Sequence, residues 1–141
     1  MGAGQNAMLL PILTQILLVL VMYGALQIAK ARASKAGLVD DARRALNEDA
    51  WPDFVRQINN NIRNQFELPV LFLVLALILW RLQPGGLLPL VLAWGFVATR
   101  VVHAWIHTHS NHVPHRRLAF TLGAVLVLLM LLDVLWLILA G

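Results

Sequence analysis

From Ala7 to Ala29 the chain runs for 23 residues without a formal charge. At about 1.5 Å of rise per residue that is enough helix to cross the roughly 30 Å hydrocarbon core of a bilayer. Three further apolar segments follow: Leu68–Trp80, about Leu87–His107 and about Leu118–Leu139. Only 13% of the 141 residues are charged and 60% are hydrophobic, whereas about 25% are charged in an ordinary soluble domain. A single domain of this length cannot hide so much apolar surface in its own core, so lipid must solvate much of it. The expected fold class is an all-α integral membrane protein. It is expected to be one domain over residues 1–141, a four-transmembrane-helix bundle with spans at about 7–29, 60–81, 87–107 and 118–139. The first span has no basic leader and no clear small-residue cleavage site, so it reads as a retained helix rather than a signal peptide.

The second span is the irregular one. Leu68–Trp80 supplies only 13 apolar residues, about 20 Å of helix. To cross a bilayer it must carry part of Asn60–Glu67 into the membrane. Pro52 is expected to open one long helix that becomes this span. Pro69, lacking an N–H, should leave the Gln65 carbonyl without its helical donor and kink the helix close to Glu67. Gln83-Pro84-Gly85-Gly86 is a tight turn joining the second and third spans as an antiparallel hairpin, and Pro114 suits the first turn of the fourth helix.

The formal charge of +4 superficially suggests a nucleic-acid partner. The basic residues instead cluster at the ends of apolar segments, which excludes that class. Lys30, Arg32, Lys35, Arg43, Arg44, Arg56 and Arg63 lie in or beside the first connection, Arg116 and Arg117 in the third, and only Arg81 in the second. By the positive-inside rule the first and third connections face the cytoplasm and both termini face outward, into the periplasm or a lumen. Trp80 and Trp136 then fall at the outer interface. The chain has no cysteine, which removes disulfides and a cysteine nucleophile. Any thiol chemistry must arrive with a ligand.

Ionisable residues at membrane depth mark functional sites by default. At 100° per residue Arg56, Asn60, Arg63, Asn64 and Glu67 share one face of the second helix, and Arg100, His103 and His107 share one face of the third. The antiparallel hairpin brings Glu67 and Arg100 to similar depth, and Arg116 and Arg117 open the fourth helix at the same end. A basic, partly buried site with one carboxylate, amides and imidazoles suits an anionic polar ligand that acts on a lipophilic partner. Arginine forks hold carboxylates bidentately, Glu67 would hold an ammonium group, and clustered cations favour a thiolate. Glutathione combines these features.

The run Asn64-Gln65-Phe66-Glu67-Leu68-Pro69, with Arg100-Val101-Val102-His103, Trp94 before it and Arg116 after it, resembles the MAPEG family, the membrane-associated proteins in eicosanoid and glutathione metabolism. The match looks like an uncharacterised bacterial branch. The resemblance implies a homotrimer with glutathione, as co-substrate, bound between subunits, and assigns Asn64, Glu67, Arg100, His103 and Arg116 to that pocket. Asn60 stands where family enzymes often have Arg, a role open to Arg63, and His107 stands where glutathione-using members often have Tyr. The implied activity is a glutathione-dependent transferase or peroxidase acting on a lipophilic electrophile or lipid hydroperoxide. In that reading Arg100, Arg116, His103 and His107 serve the chemistry, while Asn60, Arg63, Asn64, Glu67 and Arg117 hold the ligand.

Blander readings stand beside these. Glu67 with Arg100 or Arg63 would also serve as a buried register-fixing ion pair, and Arg116 and Arg117 as headgroup anchors. His103 and His107, four residues apart, lack the third protein ligand a zinc site needs, so no metal is expected, and His109, His112 and His115 read as solvated. Asp133 is expected to pair with Arg81, and Gln15 and Gln27 to hydrogen-bond between helices. Two other functions compete: a non-catalytic lipid-binding or scaffold protein on the same fold, and a small proton-coupled transporter using Glu67 or Asp133.

Overall fold

The computed structural model describes residues 6–140. Its helices are α1 (Leu9–Lys35), α2 (Asp53–Gln65), α3 (Leu68–Leu82), α4 (Leu87–Thr108) and α5 (Val113–Ala140), with a short 3-10 turn at Glu48–Ala50. Counting α2 and α3 together, four segments are long and apolar enough to cross a membrane: Leu9–Lys35, Asp53–Leu82, Leu87–Thr108 and Val113–Ala140. The hairpin and all four expected spans are therefore found, with their boundaries shifted. α1 continues six residues beyond Ala29, and α5 starts five residues before Leu118. Arg116 and Arg117 thus lie within the first helical turns of α5.

All six prolines sit at helix starts or in a turn. Pro11, Pro69, Pro89 and Pro114 fall within the first three residues of α1, α3, α4 and α5, where no intrahelical donor is lost. Pro52 caps α2 with extended backbone. Pro84 and Gly85 (φ 79°) form the middle of the hairpin turn, closed by the Gly86 N–H donating to the Gln83 carbonyl at 3.1 Å. A positive φ at the third position is the type II arrangement, which favours glycine. α1 ends in a Schellman motif. Gly37 (φ 65°) donates to the Ser34 carbonyl and Leu38 to that of Ala33, at 3.1 and 3.0 Å, satisfying carbonyls the helix end would leave open.

The expected long second helix is interrupted outright. Phe66 and Glu67 leave helical geometry, Phe66 donating only three residues back to Arg63 and Val70 to Glu67. Pro69 removes the donor that Gln65 would need, and the chain resolves this by starting a new helix with Glu67 at its N-cap position. The break lies where a kink was expected and goes further than one.

Two apolar clusters hold the bundle. Near the α3–α4 turn, Phe72, Ala76, Leu79, Ala93, Phe96 and Met130 are fully buried, with Phe72 and Phe96 stacked at 4.3 Å. At the other end, Ala29 and Ala33 let α1 approach Val55 and Ile62 of α2 and Ala104 of α4. Most remaining Leu and Val side chains point outward, the surface a bilayer would cover. Between the clusters Gln15 Nε2 donates to Gln65 Oε1 at 2.9 Å, with Asn61 beside them, so Gln15 does bind across helices. Gln27 is exposed and does not.

Candidate functional site

The polar residues of the bundle's basic end divide into two groups. The first lies in the connector between α1 and α2 and on the outer face of α2. Arg43 pairs with Asp40, Arg44 with Asp41, Arg56 with Asp49 and Asp53, and Arg63 with Glu48. All four connector carboxylates, and Asp53 at the start of α2, are matched by arginines. Arg56 and Arg63, expected on the ligand face, are committed to these pairs, and Asn60 is exposed away from the pocket. Of the stripe expected on one helix face, Arg56 and Arg63 are neutralised where the connector folds back, and Glu67 lies beyond the end of α2.

The second group lines a cleft of about 330 Å³ between the α2–α3 break and the start of α5. Asn64, Glu67, His103, Arg116, Arg117, Val113 and Phe120 form its walls. Glu67 is exposed and, among the described residues, forms no ion pair. The expected buried pair with Arg100 or Arg63 is absent, because the break turns Glu67 to the open cleft while Arg63 faces Glu48. Among the described residues Arg116 and Arg117 also have no carboxylate partner. Arg116 Nη1 instead donates to Asn111 Oδ1 at 2.7 Å. Asn111 adopts a left-handed φ of 47° as α4 ends, a conformation asparagine tolerates better than most residues. The C-terminal turn of α4 thereby aims an α5 arginine. The N-terminal turn of α5 adds its own positive dipole end to the two guanidinium groups, so this wall of the cleft favours an anion while Glu67 opposite favours a cation.

The imidazoles form the back of the cleft. His103 Nδ1 donates to the Arg116 carbonyl at 3.2 Å, and Asn64 Nδ2 donates to His107 Nδ1 at 3.4 Å. These bonds fix the ring orientations: Nδ1 carries the proton on His103, and Nδ1 is the acceptor on His107. The rings meet edge to face at 5.6 Å. Both are buried, His107 just behind the lining and His103 within it.

Arg100 does not reach the cleft. It is 1% exposed, lies between the Phe96 and Phe120 rings at 5.4 and 5.3 Å from their centres, and donates through Nη2 to the Ala119 carbonyl at 3.2 Å. Gly123 makes the room: a Cβ there would lie 2.8 Å from Arg100 Nη2. Arg100 is therefore a buried cation behind His103 and Phe120, and residues 96, 120 and 123 complete its seat. The sequence offered no sign of these three, which read as ordinary apolar helix.

Two smaller expectations are settled by position. His109, His112 and His115 are exposed, as expected of solvated residues. His109 stacks on Trp105 at 3.8 Å. Asp133 does not pair with Arg81. It is half-buried in α5 with one carboxylate oxygen lacking a partner. Among the described residues no group of three or more His, Cys, Asp or Glu side chains is arranged to hold a metal.

Cleft, break and spans thus form one unit spread over the whole bundle. No curated protein matches the sequence. The MAPEG family model matches residues 8–136, nearly the whole chain, and the chain belongs to the MAPEG family.

Proposed function

We propose that the cleft binds glutathione, a thiol carrying two carboxylates and one amine, and presents its sulfur to a lipophilic partner in the bilayer. The observation that carries this reading is the charge left unneutralised in the cleft: Glu67 on one wall, Arg116 and Arg117 on the other. A ligand with separated ammonium and carboxylate groups matches both walls, and the volume suits a small peptide. Arg116 and Arg117 would hold carboxylates, Glu67 the ammonium, and the Asn64 amide a peptide carbonyl or carboxylate. Buried Arg100 adds positive potential behind the site without touching the ligand. That potential favours the thiolate, the nucleophilic form. His103 and His107 lie close enough to the cleft to exchange the thiol proton.

The chemistry that fits is transfer to a lipophilic electrophile. A bond forms between sulfur and carbon, and the leaving group departs with the electron pair of the broken bond. Reduction of a lipid hydroperoxide is the variant in which two thiols become one disulfide and the peroxide becomes alcohol and water. The homotrimer and the bacterial inner membrane are part of the same proposal and rest on family membership, while outward termini and a cytoplasmic cleft are supported by four spans and the distribution of Lys and Arg.

Calorimetry with glutathione on purified protein tests the binding step. Micromolar to low-millimolar affinity, weakened in Glu67→Gln and in Arg116→Gln, is the expected result. Absence of heat with folded protein defeats it. One observation favours a second reading, binding and presentation of a lipid without turnover: Arg63 and Arg100, both expected to touch the ligand, are engaged elsewhere. Retained glutathione binding with no thiol consumption against a panel of lipophilic electrophiles and hydroperoxides would select it.

A further inference from the structure

A second cleft, sharing no lining residue with the first, lies against the connector. It holds about 260 Å³ and is bounded by the end of the uncharged stretch of α1, the connector and the first turns of α2. We propose that it is a binding site for the phosphate of an anionic phospholipid headgroup.

Three features lead there. The first is charge. The lining contains Lys30, Arg44, Arg56 and Glu48, but Arg56 is held by Asp49 and Asp53, and Glu48 by Arg63. Arg44 meets only Asp41, at 3.2 Å on an exposed surface where such a pair is readily exchanged. Lys30 has no carboxylate at all among the described residues. The uncompensated charge of the lining is one lysine, which fits one phosphodiester. The second is depth. Lys30 is the first charge after the 23-residue uncharged run that starts at Ala7, so its ammonium stands at the level where a bilayer's phosphates lie. Its Nζ sits 5.1 Å from the centre of the Trp51 ring. That cation–π contact holds the ammonium in place while leaving its N–H donors free, and tryptophan favours the interface. The third is the rim. Leu46, 92% exposed, is the barest large apolar side chain in the connector and would meet the upper acyl chains. The Asn47 amide, also on the lining, supplies a neutral donor.

Basic pockets of this kind at a membrane-facing helix end take lipid headgroups. The inference is independent of the glutathione reading, because no residue is shared between the two clefts.

The test uses the full chain in nanodiscs of phosphatidylcholine with or without phosphatidylglycerol, followed by native mass spectrometry. Retention of phosphatidylglycerol is expected, reduced about fivefold in Lys30→Gln and further when Arg44→Gln is added. Lys35→Gln, the same loss of charge outside the lining, is expected to retain the lipid as the parent does, as is Lys30→Arg. Arg44→Gln alone, with Lys30 and Trp51 untouched, guards against a folding defect in the Lys30 variants and is expected to show a smaller loss. Equal losses in Lys30→Gln and Lys35→Gln would mean diffuse attraction to a basic surface and overturn the site. Displacement of the lipid by millimolar inorganic phosphate would assign the cleft to a free phosphate and overturn the lipid.

Discussion

The connector and the ligand cleft are built from the same residue types and treat them in opposite ways. The connector and the first residue of α2 hold five carboxylates and match each to an arginine. The cleft holds one carboxylate and two arginines and pairs none of them. Exposed pairs such as those of the connector contribute about 0–1 kcal/mol each, so they shape the loop more than they stabilise the fold. Charges left unpaired in a cleft gain nothing for the fold and retain their full capacity for a ligand. A count of charges over the whole chain hides this difference.

The strongest way to break the comparison is to swap which group matters. Arg116→Gln with Arg117→Gln is expected to lower glutathione affinity about 100-fold, and Glu67→Gln about 10-fold. Hydrogen bonds to charged groups are worth about 1.5–3 kcal/mol, and each 1.4 kcal/mol is tenfold. Glu48→Gln, which frees Arg63, is expected to change affinity less than twofold. Calorimetry on the four proteins checks this. A Glu48 effect as large as that of Glu67 would mean that Arg63 swings into the cleft and that the division is a property of one conformation only. Raising salt should weaken binding in the parent protein more than in the double arginine variant, since screening acts on the charges that remain.

What could be read in advance follows the same division. Spans, the hairpin turn and the break near Glu67 were legible because apolar run length, Pro-Gly pairs and a mid-helix proline act locally. Asn64, Glu67 and His103 were legible together because helical periodicity and the antiparallel hairpin bring their faces to one end, and Arg116 and Arg117 because they open the next helix at that end. Arg56, Asn60 and Arg63 shared that periodicity and still fell outside, because the fate of an α2 arginine depends on where a polar loop folds, which no helical period encodes. Arg100 was assigned to the ligand because the depth of a charge can be counted from sequence, whereas its enclosure cannot. Gly123, Phe96 and Phe120, which enclose it, carry no signal apart from their contacts.

That enclosure gives the next prediction. Gly123→Ala puts a Cβ 2.8 Å from Arg100 Nη2 and 2.9 Å from Thr99 Oγ1, so the guanidinium must shift from its seat beside the Ala119 carbonyl. Overpacking of this kind costs about 1–3 kcal/mol and should appear as a lower thermal midpoint in detergent. Gly95→Ala is the control. Its Cβ would meet only Leu126 methyl groups at 3.4 and 3.6 Å, so little change is expected. If Arg100 acts on the cleft through its charge, Arg100→Met should keep or raise stability, because a buried cation with one hydrogen bond is costly, while weakening glutathione binding. Unchanged binding in a folded Arg100→Met protein would confine Arg100 to packing.

The smallest expected effect tests the connector's side of the comparison. Arg43 and Asp40 are 3.9 Å apart with more than 40% of each side chain exposed, three residues apart in sequence. A double-mutant cycle with Arg43→Gln and Asp40→Asn should give a coupling below about 0.5 kcal/mol. The same cycle on Arg63 and Glu48 should give more, up to about 1 kcal/mol, because the Asn59 amide also bonds Glu48 and the three groups tie the connector to α2. If the weaker pair couples as strongly as the stronger, the connector is held by its net field rather than by its individual partners. Neutralising either residue of a pair would then move every other pair in the loop.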